Sequence, residues 1–162
     1  MKIATKFKLT VSQDEVWEVI LNPHNIAKTF PGCESVAEID AVTYVSIVTI
    51  KLYYLKARFK LVSKIVEQYS PFHLVTHTTW EGINIPSSVS QITSLKLISS
   101  NDSSIESSTE VSIDTELNIT GTIANLGAKF MRTKIECVTA DWIQSMKFLI
   151  EKNCRPLETA NI

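Results

Sequence analysis

The sequence predicts an α+β fold in which a curved antiparallel sheet packs against one long C-terminal helix. Three observations predict this fold. Residues 2–11 alternate between apolar and polar, as in a half-buried strand, and two short capped helices follow them. Residues 33–120 show no helical pattern and indicate about six further strands. Residues 121–155 then carry one uninterrupted amphipathic helical pattern.

This order of elements predicts a helix-grip fold with a curved seven-stranded antiparallel sheet. A sheet and a single long helix each have one apolar face, and packing the two together buries both faces at once. The chain has 162 residues, of which 44% are hydrophobic, and this suits one domain with its own core. We predict a single domain over residues 1–155 and a short C-terminal tail over residues 156–162.

Capping residues mark the starts of the two short helices. Ser12 and Glu15 have the spacing of a capping box, in which each side chain hydrogen-bonds the other residue's backbone N–H. Asn22 followed by Pro23 is typical of a second N-cap with proline at the first helical position. The Phe30-Pro31-Gly32 segment predicts a helix end near residue 29, because a residue that precedes proline resists helical geometry.

Two of the predicted strands have one apolar face and one charged face. The first alternates Tyr53, Leu55, Ala57, Phe59 and Leu61 with Tyr54, Lys56, Arg58 and Lys60. The second alternates Ile105, Val111, Ile113, Leu117 and Ile119 with Glu106, Glu110, Asp114 and Glu116. A turn is predicted at residues 101–103. If the last strand pairs with the first, its acidic residues lie beside Lys2, Lys6 and Lys8.

The long helix is predicted from Gly121 to Arg155, where Pro156 stops it. Its buried stripe consists of Ala124, Ala128, Met131, Ile135, Val138, Trp142, Met146 and Leu149. Lys134 and Asp141 lie on the flank of this stripe and could reach the edge of a cavity. We interpret them instead as a surface ion pair, or the lysine as a side chain whose stem lies along the apolar surface while its charge stays in water. The first half of the helix combines small residues with additional apolar ones, which predicts a cavity between the helix and the sheet.

Composition argues against several classes of function. The formal net charge is −1 and no basic run is present, so we do not expect nucleic acid as a partner. The N-terminus lacks an apolar leader pattern and no apolar run reaches about 18 residues, so we expect a cytoplasmic protein. The cysteines Cys33, Cys137 and Cys154 are odd in number and form no C-x-x-C pair, which predicts neither disulfides nor zinc.

Catalytic and metal sites are not predicted. His73 and His77 lie four residues apart in a predicted strand, which places them ~13 Å from one another, too far to share a metal ion. No pair of carboxylates and no Ser/His/Asp or Cys/His set has a predicted meeting point. We therefore expect no cofactor, no catalytic residues, and few polar residues inside the cavity.

Two separated motifs resemble the carbon monoxide dehydrogenase G-subunit family, a branch of the START-like (polyketide-cyclase, or SRPBCC) superfamily. The first motif consists of Glu15-Val16-Trp17, Asn22-Pro23, Ile26-Ala27 and Phe30-Pro31-Gly32-Cys33-Glu34-Ser35. The second consists of Glu110-Val111-Ser112-Ile113 and Thr120-Gly121-Thr122-Ile123-Ala124-Asn125-Leu126-Gly127. The resemblance implies a START-like fold and a role beside a molybdenum-containing carbon monoxide dehydrogenase or a relative of that enzyme. Some family members reach the membrane through an apolar C-terminal tail that this chain lacks, so we expect membrane contact to be peripheral at most.

The leading hypothesis is a non-catalytic carrier that holds a hydrophobic small molecule, such as a quinone or a lipid, between helix and sheet. The predicted ligand-binding residues are Phe30, Tyr53, Leu55, Phe59, Trp80, Ile113, Leu117, Ile123, Gly127, Phe130 and Met131. A large side chain at Gly127 is predicted to fill the cavity. One alternative is a START-like cyclase or hydratase. Another is a protein-interaction module that uses the charged convex face of the sheet.

Overall fold

The computed structural model describes residues 1–100 and 108–153. Its elements are β1 (Lys2–Leu9), α1 (Gln13–Leu21), α2 (Pro23–Thr29), β2 (Cys33–Glu38), β3 (Thr43–Leu52), β4 (Leu55–Tyr69), β5 (His73–Gly82), β6 (Ser87–Ser100), β7 (Ser108–Gly121), a 3₁₀ helix (Thr122–Leu126) and α3 (Ala128–Asn153). The predicted turn at residues 101–103, Ile105 and Glu106, Cys154, the helix end at Arg155 and the tail over 156–162 lie outside the described residues.

All seven strands belong to one antiparallel sheet with the order β1-β7-β6-β5-β4-β3-β2. The predicted fold class is confirmed. Lys2 lies opposite Glu116 and Lys8 lies opposite Glu110, whereas Lys6 faces a serine of β7. The opposite charges thus face each other as predicted, although neither pair forms a salt bridge among the described residues.

The two short helices start where the capping residues predict. The Ser12 hydroxyl accepts a hydrogen bond of 3.4 Å from the Glu15 backbone N–H. The Asn22 side-chain oxygen accepts one of 3.0 Å from the His24 N–H. The second helix ends at Thr29, as expected from the proline that follows the next residue. Of the two helices, α1 packs beside β6 and β7, and α2 packs beside β2.

The prediction of one continuous helix from Gly121 is wrong. A 3₁₀ helix precedes Gly127, which has a φ of +96°, and α3 begins only at Ala128. A positive φ is available to glycine at low cost but interrupts an α-helix. Because a 3₁₀ helix has about three residues per turn, the apolar phase shifts across this break and leaves Ala124 and Ala128 exposed. At the C-terminal end of α3, Ile150 is fully buried, with 1% of its surface exposed.

The buried apolar residues form two clusters along α3. The Met146 cluster joins α1, the C-terminal half of α3 and one end of the sheet, and it includes Leu9, Val16, Ile20, Leu74, Leu95, Val111, Ile113, Met146 and Ile150. The Phe59 cluster joins the N-terminal part of α3 to the other end of the sheet, and it includes Val48, Leu52, Phe59, Leu61, Val89, Leu117, Ile123 and Met131. Among the described residues, no helix has the length and hydropathy needed to cross a membrane.

Candidate functional site

A cavity of about 270 Å³ lies between the concave face of the sheet and the helices α2 and α3. It is partly open to the surface. Its volume is close to the lower end of the range of about 300–1,000 Å³ that is usual for small-molecule sites. Every strand contributes to its wall, and α3 contributes Met131, Lys134, Ile135, Val138, Thr139 and Trp142.

Seven of the eleven predicted site residues line this cavity. They are Phe30, Phe59, Trp80, Ile113, Leu117, Ile123 and Met131. The rings of Phe30 and Phe59 each contact the Trp80 ring in a T-shaped, edge-to-face arrangement, with centroid distances of 6.2 and 5.6 Å. This aromatic group therefore forms one rigid part of the wall. That these residues contact a ligand stays a prediction.

The other four predicted site residues lie outside the cavity lining. Tyr53 is not on the inner face of a strand, because it occupies the turn between β3 and β4 with a φ of +56° and is 65% exposed. Its ring stacks on Phe130 at 4.3 Å. Leu55 packs against the periphery of the Phe59 cluster. Gly127 is exposed, and a Cβ added to it would meet no atom within 4 Å. That a larger side chain there fills the cavity stays a prediction.

A band of polar side chains crosses the concave wall of the cavity, and we call it the polar belt. It has two rows of directly paired residues on neighbouring strands. One row consists of Tyr44, Ser63, Thr78 and Gln91, and the other consists of Thr76, Thr93 and Thr115. All seven residues line the cavity. The expectation that few polar residues converge inside the cavity is therefore wrong.

Hydrogen bonds hold most of the polar belt together. The Ser63 and Thr78 hydroxyls lie 2.9 Å apart, and both side chains are buried. Gln91 accepts from the Trp80 indole N–H at 2.9 Å and donates to the Thr93 hydroxyl at 2.9 Å. These bonds fix the orientation of Ser63, Thr78 and Gln91 in the cavity wall.

The polar belt separates the apolar ends of the cavity. On β5 the inward residues are Leu74 of the Met146 cluster, then two threonines of the polar belt, then Trp80 beside the Phe59 cluster. On β6 the polar belt likewise lies between Val89 of the Phe59 cluster and Leu95 of the Met146 cluster. In both strands the residues of the polar belt recur at every second position, so the sequence does contain a signal for the belt. It is easily missed because the apolar and polar residues share one face, so neither strand alternates cleanly between apolar and polar.

Few ionisable side chains face the cavity. Among the residues that the structure describes, the lining contains Cys33, Tyr44 and Lys134 but no aspartate, glutamate or histidine. Burial raises the pKa of the Cys33 thiol, and burial raises the pKa of Tyr44 although a hydrogen bond with Ser63 opposes this. Both groups are therefore neutral near pH 7. Lys134, which lies on the flank of the helix's apolar stripe, is part of the cavity wall.

One buried donor in this region has no partner. The indole Nε1 of Trp142 is buried and forms no hydrogen bond with the described residues. Trp142 also lines the cavity. Buried donors without a partner are uncommon in proteins and cost free energy, so they call for an explanation.

His73 and His77 lie on the outer face of the sheet, outside the cavity lining. His73 hydrogen-bonds the Ser94 hydroxyl at 3.0 Å and stacks on Tyr69, and its strand position places it on the outer face of the sheet. Within residues 1–100 and 108–153, no group of three or more histidine, cysteine or acidic side chains could hold a metal ion.

Comparison with known proteins identifies the family. The model of the carbon monoxide dehydrogenase G-subunit (CoxG) family matches residues 6–150. The chain belongs to the CoxG family. The resemblance seen in the two sequence motifs is thereby confirmed. A comparison with curated proteins gives no significant match to this CoxG-family chain.

Solved structures share the fold of this CoxG-family chain. A conserved protein from Geobacillus kaustophilus has a TM-score of 0.84 and 19% identity, with 94% of this chain and 96% of that chain covered. A START superfamily protein from Mycobacterium smegmatis has a TM-score of 0.68 and 7% identity, with 93% and 97% covered. The Zhui aromatase/cyclase from Streptomyces sp. R1128 has a TM-score of 0.66 and 11% identity, with 96% of both chains covered. At these identities the similarity concerns the START-like fold alone.

Proposed function

We propose that this CoxG-family protein is a non-catalytic carrier that holds a hydrophobic small molecule in the cavity between α3 and the sheet. The observation that carries the proposal is the arrangement of the wall, in which two apolar regions flank the polar belt. Such a wall suits a ligand whose apolar parts extend to both sides of a group that forms hydrogen bonds. The seven predicted residues that line the cavity would contact its apolar parts.

A quinone or a lipid has the required chemistry. Each carries carbonyl or ester oxygens that accept hydrogen bonds, beside an extended apolar part. The hydroxyls of Ser46 and Thr76 line the cavity and have no hydrogen-bond partner among the described residues, so both are available as donors. An acceptor that reached the Trp142 indole N–H would also satisfy that buried donor.

Cavity-filling substitutions test this proposal. Val138 and Ala27 are half-buried and line the cavity, whereas Ala140 lies on the exposed side of α3. We expect decylubiquinone to quench the fluorescence of Trp80 and Trp142 in the wild-type protein. Val138→Phe and Ala27→Phe should weaken this binding at least about tenfold by occupying the cavity, and Ala140→Phe should not. Thermal unfolding of each variant shows whether it is folded.

Dodecanoic acid and its methyl ester, used as competitors, distinguish the two ligand classes. Displacement of decylubiquinone by either lipid at comparable concentration favours a lipid ligand, and failure of both favours a quinone. No saturable binding of any of the three probes would contradict the carrier function.

The family also suggests a partner. We propose that the carrier serves a molybdenum-containing carbon monoxide dehydrogenase or a related enzyme, and this rests on the family's description as a subunit of such an enzyme. Co-elution of the two proteins in size-exclusion chromatography would support an association. Separate elution at concentrations well above those in a cell would count against it.

A cyclase or hydratase function is the second candidate. The polar belt favours it, because hydroxyl groups can orient a reactive substrate or a water molecule, and one structural neighbour is named an aromatase/cyclase. The lack of a carboxylate or histidine in the described lining favours the carrier, since general acid–base catalysis uses such groups most often. Recovery of a bound molecule that is chemically unchanged after prolonged incubation would distinguish the carrier from the enzyme.

A further inference from the structure

The turn between β3 and β4 breaks three local rules within six residues. The segment has the sequence Lys51-Leu52-Tyr53-Tyr54-Leu55-Lys56, and Leu52 pairs with Leu55, so the two tyrosines form the turn. Stable sequences usually satisfy local preferences, and departures from them concentrate at functional or strained sites. The departures in this turn concern its backbone, the exposure of its rings and its charge.

The first departure concerns the backbone. Tyr53 has a φ of +56° and is the one non-glycine residue with a positive φ in the described part of the chain. Two-residue hairpin turns place glycine, asparagine or aspartate at such positions, because a Cβ makes the conformation costly. The stack of Tyr53 on Phe130, with ring planes within 8° of parallel, holds the turn in this conformation.

The second departure is the exposure of the aromatic rings. Tyr54 is 97% exposed and Tyr53 is 65% exposed. No other ring contacts Tyr54 in the described residues. The protein fold therefore presents this side chain to its surroundings without using it in the core.

The third departure concerns charge. Lys51 lies directly opposite Lys56, and like charges in this position destabilise a hairpin. Lys129, next to the stacking residue Phe130, adds a third exposed cation. None of the three lysines forms an ion pair with a described residue. By contrast, Arg58 farther along β4 is neutralised by Glu34 at 2.9 Å.

We propose that this hairpin tip, defined as residues 51–56, docks on an anionic lipid membrane. Tyrosine side chains favour the interface between headgroups and acyl chains, and lysines near an anionic leaflet are attracted to it. Two exposed tyrosines flanked by Lys51 and Lys56 can insert their rings among lipid headgroups while the lysines contact the anionic groups. It is too small for a stable protein interface, which buries about 800 Å² on each partner.

The tip also lies beside the cavity. Leu52 and Met131 line the cavity wall, and they are the chain neighbours of Tyr53 and Phe130, respectively. Docking at the tip would therefore bring the N-terminal end of α3 and the adjoining cavity wall toward the bilayer. This inference goes beyond the carrier function and does not depend on the cavity being occupied.

Vesicle flotation with the full chain tests the proposal. We expect the wild-type protein to float with vesicles of phosphatidylglycerol and phosphatidylcholine, but not with phosphatidylcholine alone. Lys51→Gln combined with Lys56→Gln should lower the affinity by about thirtyfold, and raised salt should reproduce much of this loss. Tyr54→Ser should weaken binding without changing thermal stability, because the side chain has no packing to lose.

The matched control is Lys60→Gln combined with Lys64→Gln, which removes the same charge from exposed positions of the same strand. The proposal expects this control to bind vesicles nearly as well as the wild-type protein. An equal loss in the control would assign the effect to the general charge of the convex face and would overturn the proposal. Failure of the wild-type protein to float with anionic vesicles would also overturn it, and would leave an acidic protein as the partner to be tested.

Discussion

The two ends of α3 are packed differently, although Ile123 and Met131 near its start are also buried. At the C-terminal end Met146 and Ile150 are 2% and 1% exposed and pack against α1 and the sheet. At the N-terminal end a 3₁₀ helix and Gly127 interrupt the helix, Ala128 is exposed, and Phe130 stacks on a surface turn. The cavity lies against the N-terminal half of the helix, from Met131 to Trp142. We infer that one end anchors the helix while the other end is free to adjust around a ligand.

The largest expected effect on stability is at the anchored end. Ile150→Ala should lower the free energy of unfolding by about 2–5 kcal/mol, because it leaves a cavity in a fully buried cluster. Chemical denaturation gives the value. Phe148→Ala provides the control, since its side chain is 70% exposed and should cost less than about 0.5 kcal/mol. Similar costs for both substitutions would contradict the conclusion that the buried face of α3 at its C-terminal end anchors the helix.

The polar belt should depend on paired hydroxyls rather than on individual ones. Ser63→Ala or Thr78→Val alone should cost about 1–3 kcal/mol, since each removes the hydrogen bond between these two buried hydroxyls. The double variant should cost less than the sum of the two. A double-mutant cycle measured by denaturation checks this, and strictly additive costs would indicate that the two groups do not interact.

Gly127 tests the adjustable end. Gly127→Ala should cost about 1–3 kcal/mol, because a φ of 96° with a ψ of 143° is a backbone conformation that side chains with a Cβ rarely adopt, although there is space for the added methyl group. Gly127→Phe should leave decylubiquinone binding unchanged, contrary to the expectation from sequence that it fills the cavity. Gly32→Ala should cost more than Gly127→Ala, because an added Cβ would collide with the Thr49 carbonyl. Loss of ligand binding in Gly127→Phe would show that a large side chain at this position reaches the cavity.

The smallest expected effect is on the rate at which the Cys33 thiol is alkylated, and it leaves the fold unchanged. Cys33 lines the cavity and has a raised pKa, whereas Cys137 is exposed on α3. At pH 8 iodoacetamide should alkylate Cys33 more slowly than Cys137, because a raised pKa lowers the thiolate fraction. Bound decylubiquinone should slow Cys33 further without affecting Cys137. Peptide mapping by mass spectrometry measures both rates, and equal protection of both thiols would argue against binding in the cavity.

Local signals in the sequence predicted most of the fold. The caps at Ser12 and Asn22 and the alternation in β4 were sufficient, because capping and strand period depend on neighbouring residues. The break at Gly127 was missed because the apolar spacing continues across it, and only the backbone angle reveals it.

The candidate site was less predictable. Residues on clear strand faces, such as Phe59 and Leu117, were placed correctly in the cavity wall. The polar belt was missed because its rows form only when five neighbouring strands pair in register. Tyr53 was misplaced because strand alternation does not show where a turn begins.

Native mass spectrometry of the wild-type protein, purified without detergent, tests the central claim most directly. The carrier function predicts a bound apolar molecule that is released on denaturation, is absent from Val138→Phe, and is retained by Ala140→Phe. A mass equal to that of the bare polypeptide for all three proteins, together with no binding of added decylubiquinone, dodecanoic acid or its methyl ester, would contradict it.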